Sequence, residues 1–296
     1  MRSALAAREP AALIIDGKTL EACWIAPERE HRPTIVLLHE ALGSLSLWKD
    51  FPERLAQRTG CGVLAYSRHG HGNSEPLKEK RTIGYIHHEG EAVLPELLEK
   101  FGIHKPILLG HSDGGSIALI YAGKYHDKVS GLILEAPHVF VEDATVRGVM
   151  QAGFEYEAGL REKLSRHHQD TDGVFRAWHD LWTNPRFRRW SIESYLPTIF
   201  CPILLIQGER DGYGTMAQLQ AIRSRVRETE ICVLPGCGHS PHKEQTDAVL
   251  SRVAEFIAVT QHARHGRSAD LPWAAAAMMS RKATLPEIHI SKVNAR

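Results

Sequence analysis

The chain has 296 residues, 43% hydrophobic and 24% charged, so it can bury a sizeable core as one large α/β domain with an insertion or as two modest domains. Its formal net charge is +1, with 36 Lys and Arg against 35 Asp and Glu, which leaves no bulk field to recruit nucleic acid or an anionic membrane. The five scattered cysteines suit reduced thiols, no signal-peptide core opens the sequence and no stretch approaches the roughly 20 apolar residues that span a bilayer, so a cytoplasmic protein is expected.

In chain order, Ala12 to Trp24 alternates weakly and predicts one or two antiparallel edge strands. After a polar break at Pro27 to Pro33, the apolar run Thr34 to His39 predicts a buried strand, followed by the loop Glu40-Ala41-Leu42-Gly43-Ser44. Leu45 to Arg58 reads as a helix stopped by Gly60, and Gly62 to Tyr66 as the next strand. A glycine-rich loop, Arg68 to Ser74, leads to helical spacing over Thr82 to Phe101. Ile107-Leu108-Leu109 is then a buried strand, Ser116 to Ala122 a helix, and Val129 to Leu134 a further strand. From His138 to about Pro197 the alternation stops, and the segment is helical in character and rich in aromatics. It resumes with the strand Ile203 to Gln207, a helix near 216–226, the strand Glu230 to Leu234 and a helix from about Gln245 to Val259. This order predicts a mostly parallel sheet covered on both faces. Residues 1–137 and 198–260 form its core, 138–197 a helical lid, and 261–296 an extension expected to be disordered or to dock on a neighbour.

The strand and helix around position 112 are joined by Gly110-His111-Ser112-Asp113-Gly114, a G-x-S-x-G turn. A strand that turns this sharply into a helix strains its central residue, and glycines two positions away on each side remove the bulk that would clash. The serine oxygen is left at the strand end, and the helix N-terminus points amides at the place where an oxyanion would form. A serine hydroxyl needs a base, and the base needs an orienting carboxylate. His239, in the loop after the last strand, is the candidate base, and Asp211, in the loop after the preceding strand, the candidate acid. Parallel strands end on one edge of the sheet, so the loops bearing Ser112, Asp211 and His239 are expected to meet.

With these motifs the chain resembles the α/β-hydrolase superfamily from about Thr34 to about Ala258. It is most similar to the esterase, lactonase and carbon–carbon-bond hydrolase branch that includes valacyclovir hydrolase. The resemblance implies an eight-stranded, mostly parallel sheet with helices on both faces and a helical lid. It also implies Ser112 as nucleophile, His239 as base, Asp211 as acid, and the backbone amides of Ala41 and Asp113 as the oxyanion hole. His39-Glu40 stands where relatives usually carry His-Gly, and Arg68 to Ser74 resembles their Arg-Gly-x-Gly-x-Ser loop in shifted form. Glu209 is a neighbouring carboxylate, Glu135 stands where some members put their acid, and His242 is a rival base. Asp113 either stabilises the elbow-helix N-terminus or meets a cationic or hydrogen-bonding part of the substrate. Trp178 and Trp182 of the lid are further candidate substrate contacts.

The expected chemistry is cleavage of a carboxylic ester, lactone or thioester of a small to medium, apolar or aromatic metabolite through an acyl-enzyme. A carbon–carbon hydrolase of an aromatic ring-fission product shares the triad, and a ligand receptor or scaffold shares the fold. Ser112 stands where epoxide hydrolases and haloalkane dehalogenases carry Asp, which disfavours them. The eighteen histidines include His69/His71, His87/His88 and His167/His168, but none of these pairs, nor Cys232 with Cys237, matches a metal-site pattern. No cofactor or metal is expected. The partner is a small molecule, with neither nucleic acid nor membrane, and the oligomeric state is not legible.

Overall fold

The structure is a computed structural model and describes residues 11–30 and 32–265. Eight strands form one sheet: β1 (Ala11–Ile15), β2 (Lys18–Ile25), β3 (Thr34–Leu38), β4 (Gly62–Tyr66), β5 (Ile107–His111), β6 (Gly131–Glu135), β7 (Ile203–Gly208) and β8 (Thr229–Leu234). Their spatial order is β1-β2-β4-β3-β5-β6-β7-β8. The first two make a hairpin turned by Asp16 and Gly17, both at positive φ, as a two-residue turn between right-twisted strands requires. β2 pairs antiparallel with β4, and every later pairing is parallel.

Period-two alternation sorts the central strands between two cores. Val36, Leu38, Leu64, Tyr66, Leu108, Leu132, Leu134 and Leu205 face one side, against the elbow helix (Asp113–Lys124). Ile35, Leu37, Val63, Ala65, Ile107, Leu109, Ile133, Leu204 and Ile206 face the other, against Leu55, Val253 and Phe256 of the helices Phe51–Thr59 and Thr246–His265. A sheet buried on both faces explains why these strands read as continuous apolar runs.

Two long helices expected from the sequence are interrupted. Leu45 to Arg58 divides into a 3-10 turn, Leu45–Trp48, and a helix, Phe51–Thr59, with Lys49 at φ 53 between them. Pro52 has no N–H to donate to the carbonyl of Trp48, so one helix cannot run through both segments. Gly60 ends the second segment in the left-handed conformation, as its position predicts. The helix expected over Thr82 to Phe101 starts at Tyr85 and widens into a π turn over Glu89–Val93 before continuing as Leu94–Lys100. That widening accommodates Pro95, which would otherwise clash with the preceding turn.

Between β6 and β7 the chain forms the helices Asp143–Glu155, Arg161–Ser165 and Thr171–Trp182 with short turns between and after them. Tyr156 stacks on Phe175, and Trp182, Phe187 and Trp190 pack together, so the insertion has an aromatic core of its own. Its His138 and His168 reach the loops after β7 and β3, and its Trp182 reaches Tyr85. The described residues up to Thr260 make one compact unit. Beyond the end of the last helix, the 261–296 extension lies outside the described residues, and so does the expectation about its order. Among the described residues no helix is long and apolar enough to cross a membrane.

Candidate active site

Ser112 sits between β5 and the elbow helix at φ 53, ψ −115, a strained conformation for a residue with a side chain. The flanking glycines are steric requirements. A Cβ on Gly110 would lie 2.3 Å from the Gly114 carbonyl oxygen, and one on Gly114 would lie 2.0 Å from that of Leu38. The Ser112 N–H donates to Glu135 O at 2.8 Å, and its carbonyl accepts from the amides of Gly115 and Ser116, locking the turn from both sides. Asp113 is the first residue of the elbow helix, so its N–H has no intrahelical acceptor.

The loops after β7 and β8 press against one another, and a Cβ on Gly208 would meet the Gly238 carbonyl oxygen at 1.9 Å. There Asp211 and His239 join: the imidazole Nδ1 lies 2.9 Å from each carboxylate oxygen. Gln207 Nε2 donates to Asp211 Oδ2 at 2.7 Å and the Tyr213 N–H to Oδ1 at 2.7 Å, so the carboxylate is fixed before the imidazole reaches it. Burial works to raise the Asp211 pKa, but the His239 hydrogen bond and charge outweigh it and hold the group below its ordinary value. An ionised Asp211 keeps the proton on Nδ1 and leaves Nε2 as the nitrogen with a free lone pair. Tyr213 lies beside His239 with ring centroids 4.7 Å apart.

The rival residues are engaged elsewhere. Glu135 and His242 pair with each other, Oε2 to Nδ1 at 2.7 Å, in a fully buried contact. Glu209 accepts from the Gly236 N–H at 2.9 Å and braces the base loop. His111, directly before the serine, donates from Nε2 to the His239 carbonyl at 2.7 Å.

Three imidazoles hold three consecutive carbonyls of the loop after β3. His39 Nδ1 donates to Glu40 O at 2.7 Å, His71 Nε2 to Ala41 O at 2.9 Å, and His168 Nε2 to Leu42 O at 3.0 Å. A carbonyl only accepts, so each named nitrogen carries the proton. The other nitrogens are acceptors: His39 Nε2 takes the Arg68 N–H, His71 Nδ1 takes Arg81 Nη2–H, and His168 Nδ1 takes the Gly72 N–H. All three must therefore be neutral, and burial lowers the pKa of each, helped at His39 by Arg68 and at His71 by Arg81. Arg68 Nη2 also donates to Glu40 O, at 2.8 Å. In a trans peptide the N–H points opposite to the C=O, so pinning Glu40 O turns the Ala41 N–H to the other side of the loop.

The profile of the alpha/beta hydrolase family matches residues 35–252. The chain belongs to that family. A proline iminopeptidase of Thermoplasma volcanium is 27% identical over 67% of this chain and 80% of its own. The human serine hydrolase BPHL is 24% identical over 66% of this chain and 69% of its own. Among solved structures, the enol-lactonase of Burkholderia xenovorans LB400 superposes with a TM-score of 0.67 at 20% identity, covering 84% of this chain and 100% of the lactonase.

In this alpha/beta hydrolase the carboxylate of Asp113 is buried and accepts a short hydrogen bond from Tyr85 Oη, with Arg68 Nη1 3.8 Å away. Trp182 Nε1 donates to the same Tyr85 oxygen at 3.4 Å, and the Trp182 ring meets His138 edge-on. Trp178 lies in the lid core beside Phe175, with Tyr213 at its other side. Sequence reasoning missed Tyr85, Arg81, Gln207, Tyr213 and His111 as parts of the site. Their partners lie in other loops, and only His111, adjacent to the serine, carried a local signal. Among the described residues no group of three His, Cys, Asp or Glu side chains is placed to hold a metal.

Proposed function

We propose that this hydrolase is a serine enzyme that cleaves a carboxylic ester, lactone or thioester through an acyl-enzyme on Ser112. The observation that carries the reading is the Asp211–His239 contact, tied through the His239 carbonyl to His111, the residue before a serine at an enforced elbow. His239 Nε2 takes the Ser112 Oγ proton as the oxygen attacks the carbonyl, and Asp211 stabilises the imidazolium. The oxyanion is met by the amides of Ala41 and Asp113, each such donor contributing roughly 3 kcal/mol. Collapse expels the alcohol or thiol with the proton from His239, and water then releases the acyl group by the same route. On this reading Trp178 and Trp182 of the lid contact the acyl group and favour a medium-sized apolar or aromatic one. The chemistry needs no metal or cofactor, and the reading includes a cytoplasmic location and a small-molecule partner.

The test is kcat/KM on p-nitrophenyl esters graded by acyl size, together with proline p-nitroanilide, in the full chain and in Ser112→Ala. Ester turnover that falls by about 10⁴-fold or more in Ser112→Ala supports the reading. Turnover that survives the substitution, or that is confined to the anilide, overturns it.

A further inference from the structure

Beside the elbow, the protein buries more hydrogen-bond donors than its own acceptors satisfy. Arg68 is wholly buried; Nη2 is taken by Glu40 O, while Nε and Nη1 have no hydrogen-bond acceptor among the described residues. The Arg81 guanidinium lies 4.7 Å over the Tyr85 ring and gives Nη2 to His69 O and His71 Nδ1, but its buried Nη1 has no acceptor among the described residues. The hydroxyl of Tyr66, at the end of β4 and fully buried, is likewise unsatisfied. One oxygen of buried Glu89 is an unpartnered acceptor in the group. Burial raises the Glu89 pKa against the pull of Arg68 and Arg81.

The unsatisfied groups are therefore mostly donors, and they lie next to Asp113, which is one residue from the nucleophile and whose carboxylate is 3.8 Å from Arg68 Nη1. An ammonium group would add donors where acceptors are already short, and Asp113 is already engaged by Tyr85 and Arg68. An apolar group would leave the guanidinium N–H groups unsatisfied. A carboxylate brings two oxygens in a plane that matches a guanidinium fork and can accept from several donors at once. We propose that Arg68, Arg81 and Tyr66 form a subsite for a carboxylate carried by the substrate. The subsite rests on the serine-hydrolase reading and narrows it: the substrate is an acidic ester.

Two matched pairs test it by kcat/KM: p-nitrophenyl hemiglutarate against p-nitrophenyl valerate, and 4-carboxyphenyl butyrate against phenyl butyrate. The first pair places the charge on the acyl group and the second on the leaving group. In at least one pair the acid is expected to be preferred about tenfold or more. That ratio should collapse toward one in Arg81→Met, Tyr66→Phe and Arg68→Lys. The ratio cancels any general loss of activity, and the first two variants carry the test if the third fails to fold. No preference in either pair, with neutral esters still cleaved, overturns the subsite and leaves the hydrolase reading standing. If no ester is cleaved, calorimetry on Ser112→Ala with monomethyl and dimethyl glutarate decides the subsite alone. Binding of the acid only, lost in the Arg81→Met double variant, supports it; equal binding, or none up to about 10 mM, overturns it.

Discussion

At position 114 a single methyl group decides whether the elbow can close. The Cβ of an alanine there would sit 2.0 Å from the Leu38 carbonyl oxygen, and backbone in a central strand cannot retreat far. Gly114→Ala is expected to destabilise the fold by about 3 kcal/mol or more, read as a lower urea midpoint at unchanged slope. A midpoint within error of the parent would mean that the strand and the elbow helix are less tightly apposed than described. The need for small residues at 110 and 114 was legible in the sequence, because a strand–turn–helix with serine at its apex has few steric solutions. What presses on position 114 was not legible, since Leu38 lies on another strand.

The loop from Glu40 to Leu42 is the element whose order depends most on partners distant in sequence. Its last clamp, His168, comes from the insertion and also receives the Gly72 amide, so one ring joins three segments. His168→Ala leaves a buried carbonyl and a buried amide without this partner and frees the loop that carries Ala41. On the proposed mechanism Ala41 is an oxyanion donor, which acts in the transition state more than on bound substrate, so we expect kcat to fall about tenfold with a smaller change in KM. An equal rise in KM at constant kcat would place His168 in substrate binding instead. In the sequence these histidines stand in close pairs, His69/His71 and His167/His168, and invite a metal reading. The structure separates each pair: His71 and His168 turn to successive carbonyls of one loop, whereas His167 Nδ1 meets Ser46 Oγ.

For the whole molecule, the neutral imidazoles set a direction for stability against pH. Burial lowers the pKa of His39, His71, His111, His138 and His168 in the folded protein. Above about pH 6.5 both folded and unfolded chains hold them neutral. Below it the unfolded chain binds protons that the folded chain refuses, so stability falls with pH, by up to ~1.4 kcal/mol per pH unit for each such group. Asp211 and Glu135, whose pKa values lie below their ordinary ones, carry the same trend into more acid solution. The expected result is a Tm that is highest near neutrality and drops by several degrees between about pH 6.5 and 5. A flat Tm over that interval would show that these rings titrate as they do in water.

The sequence alone determined the layered α/β architecture, because apolar runs buried on both faces and the helices between them allow little else. It also identified which loops should meet, because parallel strands deliver their C-terminal ends to one edge, and it singled out Ser112, Asp211 and His239 on those loops. Only the tertiary structure decided what surrounds them. The pairing of Glu135 with His242, the three-ring clamp on the loop after β3 and the surplus of donors around Arg68 join residues from separate elements. No periodicity or local motif encodes such contacts, since they arise from the order in which the strands assemble rather than from the order of residues along the chain.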